Sequence, residues 1–162
     1  MQVYNVFGTM TRPATTPTYA SGQLVANSAT AGLVVPFIIP LGNSQAQGMF
    51  RLTRIRLSKT GTTNTNATFR IHFYEASPTV TNGDTGVLLT NLALNWLGVI
   101  DLPSMLVFTD GCTGTGSAVA GSEMIIRCSS GKTIYALMAA GAAYVGQSSE
   151  TFTLIIEELD SY

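Results

Sequence analysis

Charged residues are scarce in this sequence, and so are the residue types on which catalytic and metal sites depend. Charged residues make up 10% of the 162 positions, against roughly 25% in an average soluble protein. There are one histidine and two cysteines, too few for the ligand clusters that hold structural zinc. These shortages argue against a metal centre and leave little material for acid–base catalysis.

Long hydrophobic runs are also missing. The longest candidate, 33–41, is interrupted by Pro36 and Pro40 and is far shorter than the roughly 18 apolar residues that a membrane-spanning helix needs. We therefore expect a soluble protein with no membrane partner.

The start of the sequence and its cysteines bear on the compartment. Residues 1–5 show no basic region followed by an apolar stretch, so no export signal is expected. In a chain that is not exported, Cys112 and Cys128 are expected to be reduced rather than paired.

In place of charge the sequence uses small polar and β-branched residues. Gly, Ser, Thr and Asn together supply 59 positions, which favours strands joined by many turns over helices. The net charge of −1 provides no overall electrostatic reason to bind nucleic acid. The composition predicts an all-β protein.

The length predicts one domain with an extended N-terminal segment. Residues 1–22 are rich in Thr and Pro, which excludes a helix and is typical of an extended arm that becomes ordered only against a partner. Residues 23–162 are expected to form the folded domain.

The clearest strand pattern lies at 50–59. Apolar residues alternate with Arg51, Arg54 and Arg56, and the phase slips by one residue near Thr53. Such a slip is produced by a β-bulge, although two strands meeting at a bend would give the same pattern. A second strand at 69–74 completes a hairpin.

Further strands are predicted elsewhere, and 109–122, with four glycines, is interpreted as a long flexible loop. The predicted strands are 23–27, 33–39, 92–100, 123–128, 133–139 and 151–159. About eight short strands without helical periods predict a single-domain, two-sheet antiparallel β-sandwich, jelly-roll-like in topology.

No constellation of residues predicts an enzyme, a cofactor site or a metal site. His72 is expected on a strand face beside Arg70 and Tyr74, without the Gly-x-Ser-x-Gly motif of a nucleophile elbow, and is interpreted as a surface or interface residue. Four carboxylates are candidates for glycoside cleavage, but nothing in the sequence brings two of them together. They are Asp101, Asp110, Glu123 and Glu150.

Charge is distributed unevenly along the chain. Residues 1–74 hold six bases and no acid, and residues 75–162 hold two bases and nine acids. These charges either pair internally or form basic and acidic faces that meet across copies or a larger assembly. The candidate capsid or subunit interface residues are Arg12, Arg51, Arg54, Arg56 and Arg70.

Several phrases of the sequence resemble a known family. They are VANSATAG (25–32), RIRLSK (54–59), FRIHFYEASPTV (69–80) followed by NGD (82–84), YAL (135–137) and ETFTL (150–154). In these phrases the chain resembles small structural proteins of tailed bacteriophages, of the head decoration or cement type. The resemblance covers most of 23–157 and leaves out the N-terminal arm.

The resemblance implies a β-sandwich that binds the outside of a phage capsid and bridges major capsid protein subunits. It implies a virion protein without turnover, present in the host cytoplasm during assembly, and a homo-oligomer, most often a trimer. Binding only the assembled shell would add to the free energy needed to separate capsid subunits.

Three other functions stay open. The chain is compatible with a phage tail or receptor module that binds carbohydrate through Trp96, Tyr74 and Tyr144, although the alternation of Trp96 with Leu92 and Leu94 favours a place in the core. A hydrolase using His72 and a head–tail joining protein are the other two.

Overall fold

The computed structural model of the chain describes residues 3–41, 48–89, 95–119, 122–128 and 132–160. These residues form eleven strands in two antiparallel sheets and contain no α-helix. Within them, no helix has the length and apolar character needed to cross a membrane. The all-β prediction is confirmed.

The first sheet has six strands. They are β1 (Val3–Thr11), β4 (Gly48–Lys59), β7 (Leu106–Phe108), β8 (Gly111–Ser117), β9 (Met124–Cys128) and β11 (Thr151–Asp160). Their order is β1-β11-β4-β8-β7, and β9 pairs with the first half of β4 while β8 pairs with the second half. Within the described residues, β1 is the edge on one side, and on the other side β7 and β9 each pair with a single strand.

The second sheet has five strands. They are β2 (Leu24–Val25), β3 (Phe37–Pro40), β5 (Phe69–Tyr74), β6 (Trp96–Leu102) and β10 (Thr133–Ala140). Their order is β2-β10-β5-β6, with β3 also on β10. The chain passes repeatedly from one sheet to the other, which gives the sandwich the jelly-roll-like arrangement expected.

A β-bulge in β4 explains why the alternation of apolar residues and arginines changes phase in the middle of the strand. Opposite β11, Glu157 pairs with Arg54 and Glu158 pairs with Leu52, so Thr53 is the extra residue. Leu52 and Ile55 both point into the core, and the arginines on either side stay outside. The bulge expected at Thr53 is confirmed, and the alternative bend is wrong.

The loop predicted over 109–122 is largely a strand, β8. Gly114 and Gly116 face inward, where a Cβ would lie 2.6 Å from the Ser104 carbonyl oxygen and 2.5 Å from that of Asp101. These glycines allow the end of β6 and the chain that follows it to cross close over β8. The glycines in this part of the chain are therefore needed for close backbone packing, and their frequency does not indicate a flexible loop.

The N-terminal arm belongs to the sandwich over much of its length. Residues 3–11 form β1, which pairs with β11 along its full length, and Arg12 and Tyr19 are buried further on. The Thr-rich and Pro-rich composition excluded a helix, as expected, but it did not exclude an edge strand. The interpretation of 1–22 as an arm outside the domain is wrong for 3–11.

The strand predicted at 69–74 is β5, but the predicted hairpin with 50–59 is wrong, because β4 lies in the first sheet and β5 pairs with β6 and β10 in the second. The other strand predictions hold in part where the structure describes them. β2 and β3 are shorter than predicted, β9, β10 and β11 match within one or two residues, and β6 covers the second half of 92–100. Residues 90–94 lie outside the described residues. Trp96, expected in the core, is 46% exposed at the start of β6.

Candidate functional site

Four arginines share the outer face of the six-stranded sheet. In β4 the side chains of Arg51, Arg54 and Arg56 alternate with buried apolar residues and are exposed, and in the neighbouring strand β9 Arg127 is exposed in the same way. We call the surface formed by these four residues the arginine face. Three of its members were predicted from the sequence as interface residues; Arg127 was not, although its strand was predicted.

The arginine face carries unpaired positive charge. Arg54 lies 3.7 Å from the Glu157 carboxylate on the next strand, and both side chains are partly exposed to solvent. Within the described part of the chain, Arg51, Arg56 and Arg127 form no ion pair. Because an exposed pair contributes at most about 1 kcal/mol, all four guanidinium groups are available to a partner.

Aliphatic side chains lie between these arginines. Directly opposite Arg51 is Ile125, and directly opposite Arg127 is Met49; both apolar residues are about half exposed. Residues directly opposite each other in an antiparallel pair have neighbouring side chains. The surface therefore offers charge and uncovered apolar area together.

Arg70 does not belong to this surface. It lies on the exposed side of β5 in the other sheet, where its Nε and Nη2 atoms donate to the two Asp101 oxygens at 2.7 and 3.1 Å. This pairing raises the pKa of Arg70 and lowers the pKa of Asp101. The prediction that Arg70 shares an interface with the β4 arginines is not supported by this placement, because the two sheets face opposite ways.

Arg12 is buried and is not available as a surface contact. Its Nη2 lies 3.2 Å from an Asp84 oxygen, its Nη1 donates to the Gln147 carbonyl at 2.9 Å, and its Nε donates to the Tyr19 hydroxyl. The hydroxyl of Tyr19 and the backbone N–H of Ala26 both donate to Asp84. The guanidinium group is thus enclosed and satisfied, and its assignment as an interface residue is wrong.

A second buried ion pair continues this cluster. Lys59 Nζ lies 2.7 Å from Glu150 Oε1, and Tyr144 donates its hydroxyl proton to the other carboxylate oxygen. Arg12 Nη1 is 4.0 Å from Glu150, and the rings of Tyr19 and Tyr144 stack with centroids 5.9 Å apart. We call this set the buried ion network: Arg12, Tyr19, Lys59, Asp84, Tyr144 and Glu150.

The buried ion network is electrically balanced and closed. Two cations face two carboxylates. The pKa values of Tyr19 and Tyr144 are both raised, mainly because the side chains are buried and also because each hydroxyl donates to a carboxylate. No donor of the Lys59 ammonium is left for a ligand, because Gly61 and Thr63 accept the other two. We assign it a structural role, joining the ends of β1 and β4 to the start of β11.

Sequence reasoning had no signal for this network. Its members come from separate loops and strand ends, and Lys59 and Glu150 are 91 positions apart. Asp84 stood out only as part of the Asn-Gly-Asp phrase at 82–84, and Glu150 only as a candidate for glycoside cleavage. Only the strand order, which places β4 beside β11, brings the pair together.

His72 lies on the same side of β5 as Arg70 but is 9% exposed, and its Nδ1 has no hydrogen-bond partner among the described residues. Burial lowers its pKa; nearby Arg70 lowers it further, while Asp101 raises it. The loop after β5 covers part of this face, packing Val80 against Tyr74. The histidine expected at the surface is therefore largely enclosed.

Other residue types considered for binding are accounted for in part. Within the described residues, no group of three or more His, Cys, Asp or Glu is placed to hold a metal ion. Cys112 is a buried free thiol, and the side chain of Cys128 lies outside the described residues. Of the aromatics considered for sugar stacking, Tyr74 and Tyr144 are buried, and Trp96 is exposed.

Comparison with known proteins gives similarity at a low level. No protein-family model and no curated protein matches the chain. Among solved structures the chain is similar to the crystal structure of murine APRIL at pH 8.0, with 10% identity, 95% of this chain and 99% of that chain covered, and a TM-score of 0.31. The jelly-roll-like sandwich described above rests on this chain's own strand order, and a likeness at this level bears on no function.

Proposed function

We propose that this protein is a structural component of a tailed-phage virion that binds the outside of the capsid and bridges major capsid protein subunits. The observation that carries the proposal is the arginine face, an exposed sheet surface with four guanidinium groups, three of them without an ion pair among the described residues, beside the half-exposed side chains of Ile125 and Met49. The resemblance of the sequence to head decoration proteins supports the major capsid protein as the partner.

The composition of this surface is suited to protein contact. Arginine is enriched at protein interfaces because its planar group forms several hydrogen bonds and its stem packs on apolar surface. Ile125 and Met49 supply apolar area next to the charges. We therefore expect a partner surface that carries carboxylates around an apolar centre.

The sheet holds this surface in a fixed shape. β4 lies between β11 on one side and β8 and β9 on the other, so three of the four arginines stand on a central strand and Arg127 on its neighbour β9. A rigid surface loses little conformational entropy on binding. If the protein binds the assembled shell and not the separate capsid subunits, its binding free energy adds to the free energy needed to separate those subunits.

Contacts between copies are a second part of the proposal. The edge strand β7 exposes three consecutive apolar residues, Leu106, Val107 and Phe108, and uncovered edges of this kind readily pair with another chain. This edge supports a homo-oligomer, and the resemblance favours a trimer.

The test is binding to capsids that lack the protein. A variant with Arg51, Arg54 and Arg56 replaced by Ala should occupy such capsids at least about tenfold less well, because central interface arginines commonly contribute 2 kcal/mol or more. Arg70→Ala is the matched control, since it removes an exposed arginine from the opposite sheet. Imaging of the decorated particles shows whether the copies are grouped in threes.

Unchanged occupancy by the triple variant, with a folded domain, would overturn the role of the arginine face. No binding of the unaltered protein to any capsid would overturn the proposed function as a whole.

A further inference from the structure

A depression of about 400 Å³ opens on the six-stranded sheet at the end of β4. It lies toward the β7 edge, and Lys59 is the member of the buried ion network that also lines it. Its lining is dominated by hydroxyl groups, with one aromatic ring and one carboxylate. The residues that matter are Ser58, Phe108, Asp110, Thr113, Thr151 and Thr153.

One wall of the depression is the tight hairpin between β7 and β8. Phe108 pairs with Gly111, so only two residues form the turn. A Cβ on Gly111 would lie 2.2 Å from the carbonyl oxygen of Lys59, so glycine is what allows the hairpin to lie against the end of β4. The turn holds Phe108, 55% exposed, and Asp110 at the rim.

The floor consists of hydroxyl side chains with hydrogen-bonding capacity to spare. Ser58 and Thr113 share one hydrogen bond of 3.1 Å, and Thr151 shares one of 2.8 Å with Thr11. Each hydroxyl has one donor and two acceptor sites, so these pairs retain free sites. Thr153 adds a hydroxyl that bonds no other described residue.

The rim carboxylate also has spare capacity. Asp110 is exposed and makes no hydrogen bond or ion pair with the described part of the chain. A carboxylate accepts hydrogen bonds from two neighbouring hydroxyl groups of a ligand through its two oxygens. An anionic ligand would be repelled there, and the nearby Lys59 ammonium has already committed its three hydrogens.

This combination matches one class of ligand. An exposed aromatic ring packs against the C–H face of a pyranose, while a carboxylate and several hydroxyls bond the ring hydroxyls. The volume falls within the range of small-molecule sites. We propose that this depression is a binding site for a neutral saccharide, with Phe108 as the stacking platform and Asp110 as the main acceptor.

The experiment is titration of the isotope-labelled full chain with neutral sugars, followed by amide chemical shifts. The probes are maltotriose, mannotriose, chitotriose and lactose at millimolar concentrations, and sialyllactose is the anionic counterpart of lactose. At least one neutral probe should give saturable shifts confined to 58–60, 108–113 and 151–153. Sialyllactose should bind more weakly than lactose.

Three variants assign the contacts. Phe108→Ala should abolish the saturable shifts, and Asp110→Asn should weaken binding about tenfold, because a hydrogen bond to a charged acceptor contributes about 1.5–3 kcal/mol. Leu106→Ala is the matched control: it lies on the same strand and is more exposed than Phe108, but it does not line the depression. Since Asp110 stands in an exposed turn, its variant remains informative if Phe108→Ala fails to fold.

The proposal is overturned if no neutral probe gives saturable shifts, if the shifts fall elsewhere, such as around Trp96, or if sialyllactose binds as well as lactose. It does not depend on the capsid proposal. Asp110→Asn leaves both the arginine face and the exposed apolar residues of β7 intact, so this variant separates sugar binding from capsid occupancy and from contacts between copies.

Discussion

Lys59 and Glu150 form a fully buried ion pair, with 2.7 Å between Nζ and Oε1. Lys59 is the last residue of β4, and Glu150 immediately precedes β11, the neighbouring strand. The same ammonium group donates to the carbonyl oxygens of Gly61 and Thr63. The pair therefore ties the loop that leaves one central strand to the start of the other.

Breaking this pair from one side should be severe. Glu150→Gln leaves the Lys59 ammonium buried without its counter-charge, and removal of one partner of a buried pair costs about 3–5 kcal/mol. Urea unfolding followed by circular dichroism measures the loss. Glu157→Gln is the control, because its pair with Arg54 is partly exposed and should contribute less than about 1 kcal/mol. Equal effects of the two substitutions would contradict the structural role of the buried ion network.

The inward glycines of β8 should tolerate no side chain. In Gly116→Ala the new Cβ would meet the Asp101 carbonyl oxygen at 2.5 Å and a methyl group of Ile100 at 2.9 Å, and overpacking of this kind costs about 1–3 kcal/mol. Thr115→Ala, on the exposed side of the same strand, should change the unfolding free energy by only about 0.5 kcal/mol. A Gly116→Ala protein as stable as the parent would show that β8 and the chain crossing it are not in close contact.

The buried imidazole should make stability depend on pH. Burial, with Arg70, holds the pKa of His72 below 6.5 against the opposing effect of Asp101. The unfolded chain then binds the proton more readily than the folded one, so stability should fall as the pH drops through about 6.5 toward the folded pKa.

Two measurements check this prediction. The His72 ring resonances should titrate with a midpoint below 6.5, and His72→Gln should remove part of the decline in urea midpoint between about pH 7.5 and 5.5. A midpoint at or above 6.5 would contradict the argument. The carboxylate Asp101, whose pKa is lowered by Arg70, contributes its own loss only at lower pH.

Arg127 should matter for capsid binding as much as the arginines of β4. It is exposed on β9, opposite Met49, and belongs to the same surface. Charge reversal in Arg127→Glu should reduce capsid occupancy, because it places a negative charge where an acidic partner surface is expected. Arg70→Glu, on the other sheet, should leave occupancy unchanged. If the two variants behave alike, binding depends on total charge and not on this surface.

The strands that could be predicted are those in which apolar residues alternate strongly. In β4 the phase slip at Thr53 was visible in the sequence, because a bulge shifts every later side chain by one position. β1 and β8 were missed for opposite reasons. β1 was not predicted because the Thr and Pro residues around it indicated an arm. β8 was not predicted because its glycines indicated a loop, and only the chain that crosses over them explains why they are needed.

The site could be predicted to the extent that its residues share one strand. The shared exposure of Arg51, Arg54 and Arg56 could be predicted, because the alternation within a single strand determines which side chains are exposed. Arg12 and Arg70 are equally basic, but one is enclosed and the other faces away on the second sheet. The burial of Arg12 and the orientation of Arg70 both depend on residues that are distant in the sequence, so neither could be predicted from the neighbouring residues.

Local pattern alone determined that the chain is all-β, where its strongest strands lie and which of their side chains point outward, since alternation with a period of two is a property of consecutive residues. The tertiary structure decided which charges are neutralised and which are free. Ion pairs such as Lys59 with Glu150 join residues that are distant in the chain, and their distance depends on which strands become neighbours in the sheet.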